Sequence, residues 1–399
     1  MRTYRELFRT PEFTPLFLTG AARVAAQTVT GLALGTLIYT ETRSPLLAAL
    51  AMFGPSLSQL IGATVLLSAA DRLAPRATLA VLELVFAAAT AAQAIPGLPV
   101  WAAFVVLTCV GPLAALGGGV RYGLLNELLP ADGYVLGRSV LNMSVGTMQI
   151  CGFALGGVLV AALSPRHTLL VGAALYLAAA LIARAGLSPR PPRATGRPSI
   201  TETWRGNARL WSSVPRRYAF LALWVPNGLV VGCESLFVSY APRDAGLLFA
   251  FAALGMLAGD TLAGRFLTDH WRDRLAAPLR LLLGIPFLIF ALQPPLVVAL
   301  VAVTVASVGY SSSLLLQRRL LALTPDDLSG HALGLQSAGI LAMQGVGAGL
   351  AGAIAQQTSP ATAMTVMAAA SVAVTVALAR GLRTPVPGDT SVGRGQLVG

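Results

Sequence analysis

Ionisable side chains are scarce in this sequence, and those inside long apolar runs are the ones placed to do chemistry. Charged residues make up 11% of the 399 positions and hydrophobic residues 55%. In the first apolar run, Arg23, Gln27 and Thr30 stand at i, i+4 and i+7, a polar stripe on one helical face. Arg23 lies about 14 Å into that run at 1.5 Å per residue. A cation there can hold an anionic solute or an acidic partner, or be neutralised by a structural pair with Glu83. Asn227 and Glu234 share a face in the seventh run, seven residues apart. A carboxylate in an apolar run suits a group that takes up and releases a proton; the alternative is a structural partner for Arg43 or Arg243. Arg23 falls in the inner half of its run and Glu234 in the outer half, so a direct pair between them is not expected.

Three further candidates carry less. Asp260, in Gly259-Asp-Thr-Leu-Ala-Gly-Arg265, sits deep in the eighth run; coupling, pairing with Arg265 or a gating role would each fit. Arg121 either serves a conduction path or is an interfacial basic residue. Glu83, six residues into the third run, is expected to reach Arg72 or Arg76. Gln149 and Gln344 read as interhelical hydrogen-bond formers.

Enzyme chemistry finds no foothold. All 28 basic residues are arginine, so a Walker phosphate loop with its lysine is impossible, and neither a nucleophile elbow nor H-E-x-x-H occurs. His167, His270 and His331 form no metal set. Cys109, Cys151 and Cys233 lie singly in apolar runs as small hydrophobes. No metal or cofactor is expected. Any work must be driven by a gradient, with the proton favoured by the buried carboxylates.

The elements that position these residues are membrane helices. Crossing a hydrocarbon core of about 30 Å takes about 20 apolar residues, and barrel strands would alternate polarity instead. Twelve runs qualify: 14–39, 45–70, 77–97, 99–129, 135–163, 168–186, 217–241, 244–268, 277–293, 295–320, 330–355 and 360–382. With the N-terminus inside, the inner segments hold 22 arginines and the outer loops three, which predicts cytoplasmic termini. The same rule explains the net charge of +12 without nucleic acid. The expected organisation is a six-helix bundle over 1–186, a basic cytoplasmic linker over 187–216, a second bundle over 217–383 and a tail over 384–399. In the linker, Ile200, Trp204 and Trp211 mark an amphipathic helix on the inner leaflet.

The bundles are related in sequence. Leu128, Pro130, Asp132, Met148, Gln149, Gly152, Leu155 and Gly157 recur 195 positions later, as Leu323, Pro325, Asp327, Met343, Gln344, Gly347, Leu350 and Gly352. Six spans per unit keep both units in one orientation, the parallel repeat found in secondary transporters. Glycines in the fifth and eleventh spans, including Gly152 and Gly347, permit close helix approach.

The loop Ala69-Ala-Asp-Arg-Leu-Ala-Pro-Arg76, with Gly35-Thr-Leu-Ile-Tyr39 and Tyr134-Val-Leu-Gly-Arg-Ser-Val-Leu-Asn-Met143, resembles the major facilitator superfamily. More narrowly, the chain is similar to its twelve-helix actinobacterial drug-efflux-like porters. Asp71, Arg72 and Arg76 match the superfamily's G-x-L-A-D-R-x-G-R-R signature as gating-loop residues; Leu67, Ala74 and Pro75 depart from it. The resemblance implies an all-α fold of two six-helix bundles rocking about a site lined by spans one, four, seven and ten. Arg23, Gln27, Arg121, Asn227, Glu234 and Asp260 are then expected on the substrate or proton pathway. The expected function is proton-coupled export of small amphipathic molecules by a monomer in the plasma membrane. Import of a small metabolite or siderophore is the alternative, and a non-transporting sensor or scaffold is the reading from another class.

Overall fold

The computed structural model describes residues 4–65, 72–192, 200–265, 269–325 and 328–383. Asp71, Asp327, part of the linker and the expected tail lie outside the described residues. Among the described residues, eleven helices are long and apolar enough to cross a membrane, and a twelfth apolar segment, Ala277–Leu292, is shorter. The chain is a multi-pass, all-α membrane protein.

The first six spanning elements are α1 (Phe13–Thr42), α2 (Pro45–Phe53 and Pro55–Val65), α3 (Pro75–Gln93), α4 (Val100–Leu128), α5 (Ala131–Leu163) and α6 (Pro165–Gly186). After the linker helix Ile200–Trp211 come α7 (Val214–Ser235, extended by Phe237–Tyr240) and α8 (Ala245–Arg265). The remainder are α9 (Asp269–Gly284, continued by a 3-10 segment, Ile285–Leu292), α10 (Leu296–Val308 and Ser312–Ala322 around a 3-10 turn, Gly309–Ser311), α11 (Ser329–Gln357) and α12 (Pro360–Ala379). The end of the molecule holding the start of α1 and the linker is called basal here, and the end holding the α1–α2 turn apical.

Local chemistry fixes several apical starts. α2, α6 and α12 each open on Ser-Pro, with Ser44, Ser164 and Ser359 accepting from the backbone N–H of Leu47, His167 and Thr362. The serine oxygen satisfies a first-turn donor and the proline occupies the position that needs none. The expected ninth span, 277–293, is too short as an α-helix. Its eight 3-10 residues rise about 2.0 Å each, bringing the apolar length to about 28 Å, close to the hydrocarbon thickness.

Close packing follows the glycines. A Cβ on Gly152 would lie 1.8 Å from the Thr28 hydroxyl of α1, and one on Gly347 would lie 1.9 Å from the Gly228 carbonyl of α7. Gly347→Ala is therefore expected to cost about 1–3 kcal/mol, seen as a lower melting temperature in detergent; unchanged melting would contradict the contact.

Two apolar clusters draw only on residues up to 187, and a third lies wholly within 210–382. The largest cluster adds Leu32 of α1 to residues 229–368, so it crosses between the first and last six spans. Its crossing is apical. Phe53 of α2, Phe153 of α5, Phe237 of α7 and Phe249 of α8 meet there, with Phe249 centroids 4.7 Å from Phe153, 4.9 Å from Phe237 and 6.5 Å from Phe53. Beside this plug the Tyr39 hydroxyl donates to the Ser239 carbonyl at 3.4 Å, and the Ser44 hydroxyl to Gln356 Oε1 at 2.8 Å.

Basally, the Glu12 carboxylate accepts from both terminal nitrogens of Arg190 at 2.9 Å and from the Ser188 N–H at 3.0 Å. Burial opposes the charge on Glu12, yet the Ser188 N–H and the Arg190 guanidinium hold the carboxyl below its ordinary range. Farther along the linker, the His331 ring of α11 meets Asn207 Oδ1 at 2.8 Å.

Candidate functional site

The structure gathers the first-half candidates around one buried ion pair. Arg23 Nη1 of α1 donates to Glu83 Oε1 of α3 at 2.9 Å, with Glu83 fully buried and Arg23 8% exposed. The guanidinium also lies 4.7 Å from the centroid of the Phe86 ring, within cation–π range. α4 admits this arrangement because residue 117 is glycine: a Cβ there would stand 3.0 Å from Arg23 Nη1. One turn farther along α4, Arg121 packs over Gly20, its Nε buried without a partner.

The expectation that Glu83 reaches Arg72 or Arg76 is corrected. Glu83 lies eight residues beyond Pro75, about 12 Å along the helix, whereas Arg76 stays at the basal surface and donates to the Arg184 carbonyl of α6 at 3.0 Å. Arg72 is half-buried in the same loop. Arg23, Gln27 and Thr30 line a cavity of about 130 Å³. Its walls come from α1, α2, α3, α4 and α6 alone, with Gln59, Thr90, Gln93 and Tyr176 among them. The stripe predicted on α1 is real, but it faces into the first bundle, so Arg23 and Glu234 do not line one shared cavity.

In the second half, Glu234 of α7 is 8% exposed and accepts a hydrogen bond from the Tyr310 hydroxyl at 3.1 Å. No described cation pairs with it. Its partner Tyr310 and its chain neighbour Cys233 belong to the large apolar cluster. Tyr310 sits inside the 3-10 turn that interrupts α10, so the one side-chain partner of the carboxylate among the described residues belongs to a break in its helix. Asn227, two turns away on α7, is buried with Oδ1 unpaired.

Asp260, expected deep in the eighth run, has an exposed side chain on α8. Gly255 and Gly259 turn the opposite side of α8 onto α10, where a Cβ would come within 2.2 Å of the Thr304 carbonyl and 2.6 Å of the Val308 carbonyl. Asp260 follows Leu257, which touches Gly146 of α5, and so lies just basal to the contact between α5 and α8. On α4 and α5, Tyr122 and Asn142 are exposed and share a 3.3 Å hydrogen bond, with Arg138 5.5 Å from the Tyr122 ring. Gln149 and Gln344 are half-buried and make no hydrogen bond among the described residues, contrary to the interhelical role expected of them. Tyr310, Tyr176 and the phenylalanine plug escaped the sequence reading, since an aromatic side chain inside an apolar run carries no distinguishing signal.

Relatives place this architecture. The Major Facilitator Superfamily profile matches residues 16–243. A lysophospholipid transporter LplT of Citrobacter koseri is 28% identical over 223 residues, covering 51% of this chain and 54% of that protein. The Serratia proteamaculans LplT is 30% identical over 214 residues, covering 48% and 51%. The chain thus matches about half the length of these curated relatives, which are lysophospholipid transporters rather than the drug-efflux-like porters its loop motif resembles. A bacterial homologue of the human lysosomal transporter Spinster, solved inward-facing and unoccupied, superposes with TM-score 0.68 over 96% of this chain and 97% of that one at 15% identity. A peptide transporter POT in complex with sulfate gives 0.72 over 95% and 97% at 13% identity. The profile match runs from α1 through α7, across the helices that hold Arg23, Glu83 and Glu234, and the superpositions extend the same fold over nearly all of the remainder: the chain belongs to the Major Facilitator Superfamily.

Proposed function

We propose that this chain couples proton entry to the export of small amphipathic molecules by alternating access, with single-chain phospholipids the first class to test. The observation that carries the coupling is Glu234, a buried carboxylate beside the large apolar cluster with a tyrosine hydroxyl and no cation among the described residues. An unpaired buried ion is costly, and a carboxylate escapes that cost by taking a proton. The lipid class is drawn from the LplT relatives. The arginine distribution puts the basal end and both termini in the cytoplasm, with 1–186 and 217–383 as the two moving bundles of a monomer in the cell membrane. The apical plug then faces outward, and the basal half of α8 with Asp260 faces the cytoplasm. Arg72 and Arg76 belong to the loop that changes contacts as the bundles rock.

The test uses proteoliposomes with an imposed pH gradient and a fluorescent lysophospholipid. Gradient-dependent movement that also collapses the pH difference supports coupling; movement indifferent to the gradient rejects it. Accumulation in intact cells with and without the gene separates export from import. Alternating access makes its own prediction. In a background lacking the native cysteines, Ser44→Cys with Gln356→Cys, bridged by a bifunctional thiol reagent, should hold the apical side shut and stop transport. Undiminished transport after complete cross-linking would reject apical opening.

A further inference from the structure

We propose that the cavity inside the first bundle is a subsite for a phosphate-bearing headgroup, held by Arg23 with Tyr176 and Gln27. The inference deepens the amphipathic-substrate reading and rests on it.

The cluster contains two guanidinium groups, Arg23 and Arg121, and one carboxylate, Glu83. The single ion pair uses one nitrogen of Arg23; beyond Glu83, no described residue accepts from that guanidinium, and Arg121 makes no described ion pair. The two guanidiniums thus outnumber the one carboxylate, and of the two it is Arg23 that lines the space of about 130 Å³. Buried charges are expected to be paired, so an anion in that space supplies what the helices omit. Guanidinium forks also match phosphate oxygens geometrically.

The rest of the lining fits a polar guest rather than an acyl tail. Tyr176 is 7% exposed, lines the cavity and makes no hydrogen bond among the described residues. Gln93 is 4% exposed with Oε1 unpaired, and Gln27 and Thr30 continue the wall above Arg23. A cluster serving structure alone would be expected to satisfy such groups internally. Phe86 covers one face of the Arg23 guanidinium, leaving its edge to bind.

The test measures binding to the purified full chain in nanodiscs, with oleoyl lysophosphatidylglycerol, monoolein and glycerol phosphate as probes. The wild type should bind the lysolipid about ten- to a hundredfold more tightly than monoolein, the range of one or two charge-assisted hydrogen bonds. Tyr176→Phe, which keeps the ring, should reduce that preference a few-fold. The double variant Arg23→Met with Glu83→Met, which removes the Arg23 guanidinium without stranding Glu83, should erase the preference and still bind monoolein; thermal melting reports its fold. Preference retained in the folded double variant overturns the subsite. So does wild-type binding of monoolein without any headgroup preference, which leaves the amphipathic reading standing. Wild-type failure to bind either amphiphile overturns both. Competition by glycerol phosphate as strong as by the lysolipid supports a free phosphate as occupant, and weaker competition supports a lipid headgroup.

Discussion

Glu234→Gln is expected to reduce solute-driven proton flux in proteoliposomes to background while the protein stays folded. Glutamine has nearly the same shape as a protonated glutamate, and its carbonyl can still accept from the Tyr310 hydroxyl, 3.1 Å away in the native protein. What it lacks is a second protonation state. If one buried carboxylate carries the cycle, a side chain fixed in the neutral form blocks every turnover that needs the proton to leave. Exchange of labelled for unlabelled substrate at equal pH requires no net proton movement and should survive. Measuring both fluxes on one preparation separates loss of coupling from loss of protein. Wild-type proton flux in this variant would remove Glu234 from the proton path.

The second large effect is on stability. Arg23→Ala leaves Glu83, fully buried, without its partner, and breaking a buried pair from one side costs about 3–5 kcal/mol. The stacked Phe86 ring loses its cation as well. Arg23→Met with Glu83→Met removes both charges, replaces them with apolar volume and should cost less than the single change. Unfolding each variant in a denaturing detergent series gives the comparison. A double variant at least as unstable as Arg23→Ala would show that the pair itself, and not the orphaned carboxylate, sets the cost.

How much of this was legible in the sequence depended on the range of the interaction. Apolar runs near 20 residues announce spans directly, and Ser-Pro starts such as Ser44-Pro45 mark where they begin. Breaks within spans were missed: the 3-10 segment at Ile285–Leu292 is as apolar as any span, and Gly309–Ser311 sits in a short Gly-Tyr-Ser-Ser-Ser stretch that a count of apolar residues passes over. The polar stripe on α1 was readable from spacing, yet its partner was not. Glu83 is 60 residues away and had nearer arginines to choose from. Only the rotation of α1 against α3 and α4 decides that Arg23 turns into the first bundle. Glu234 stood out as a lone acid in an apolar run, whereas Tyr310, 76 residues on, had no mark of its own. Asp260 shows the same limit: the face it occupies depends on how the glycines beside it pack.

The Glu12–Arg190 contact has a mechanical consequence. It fastens the start of the linker to the basal end of α1, and the His331–Asn207 contact fastens the linker helix to α11. Between these anchors the chain covers ten residues from Arg190 to Ile200, whose covalent length cannot exceed about 35 Å. While both anchors hold, that leash caps the stroke at the basal end, so the two bundles can swing apart but cannot drift beyond its length.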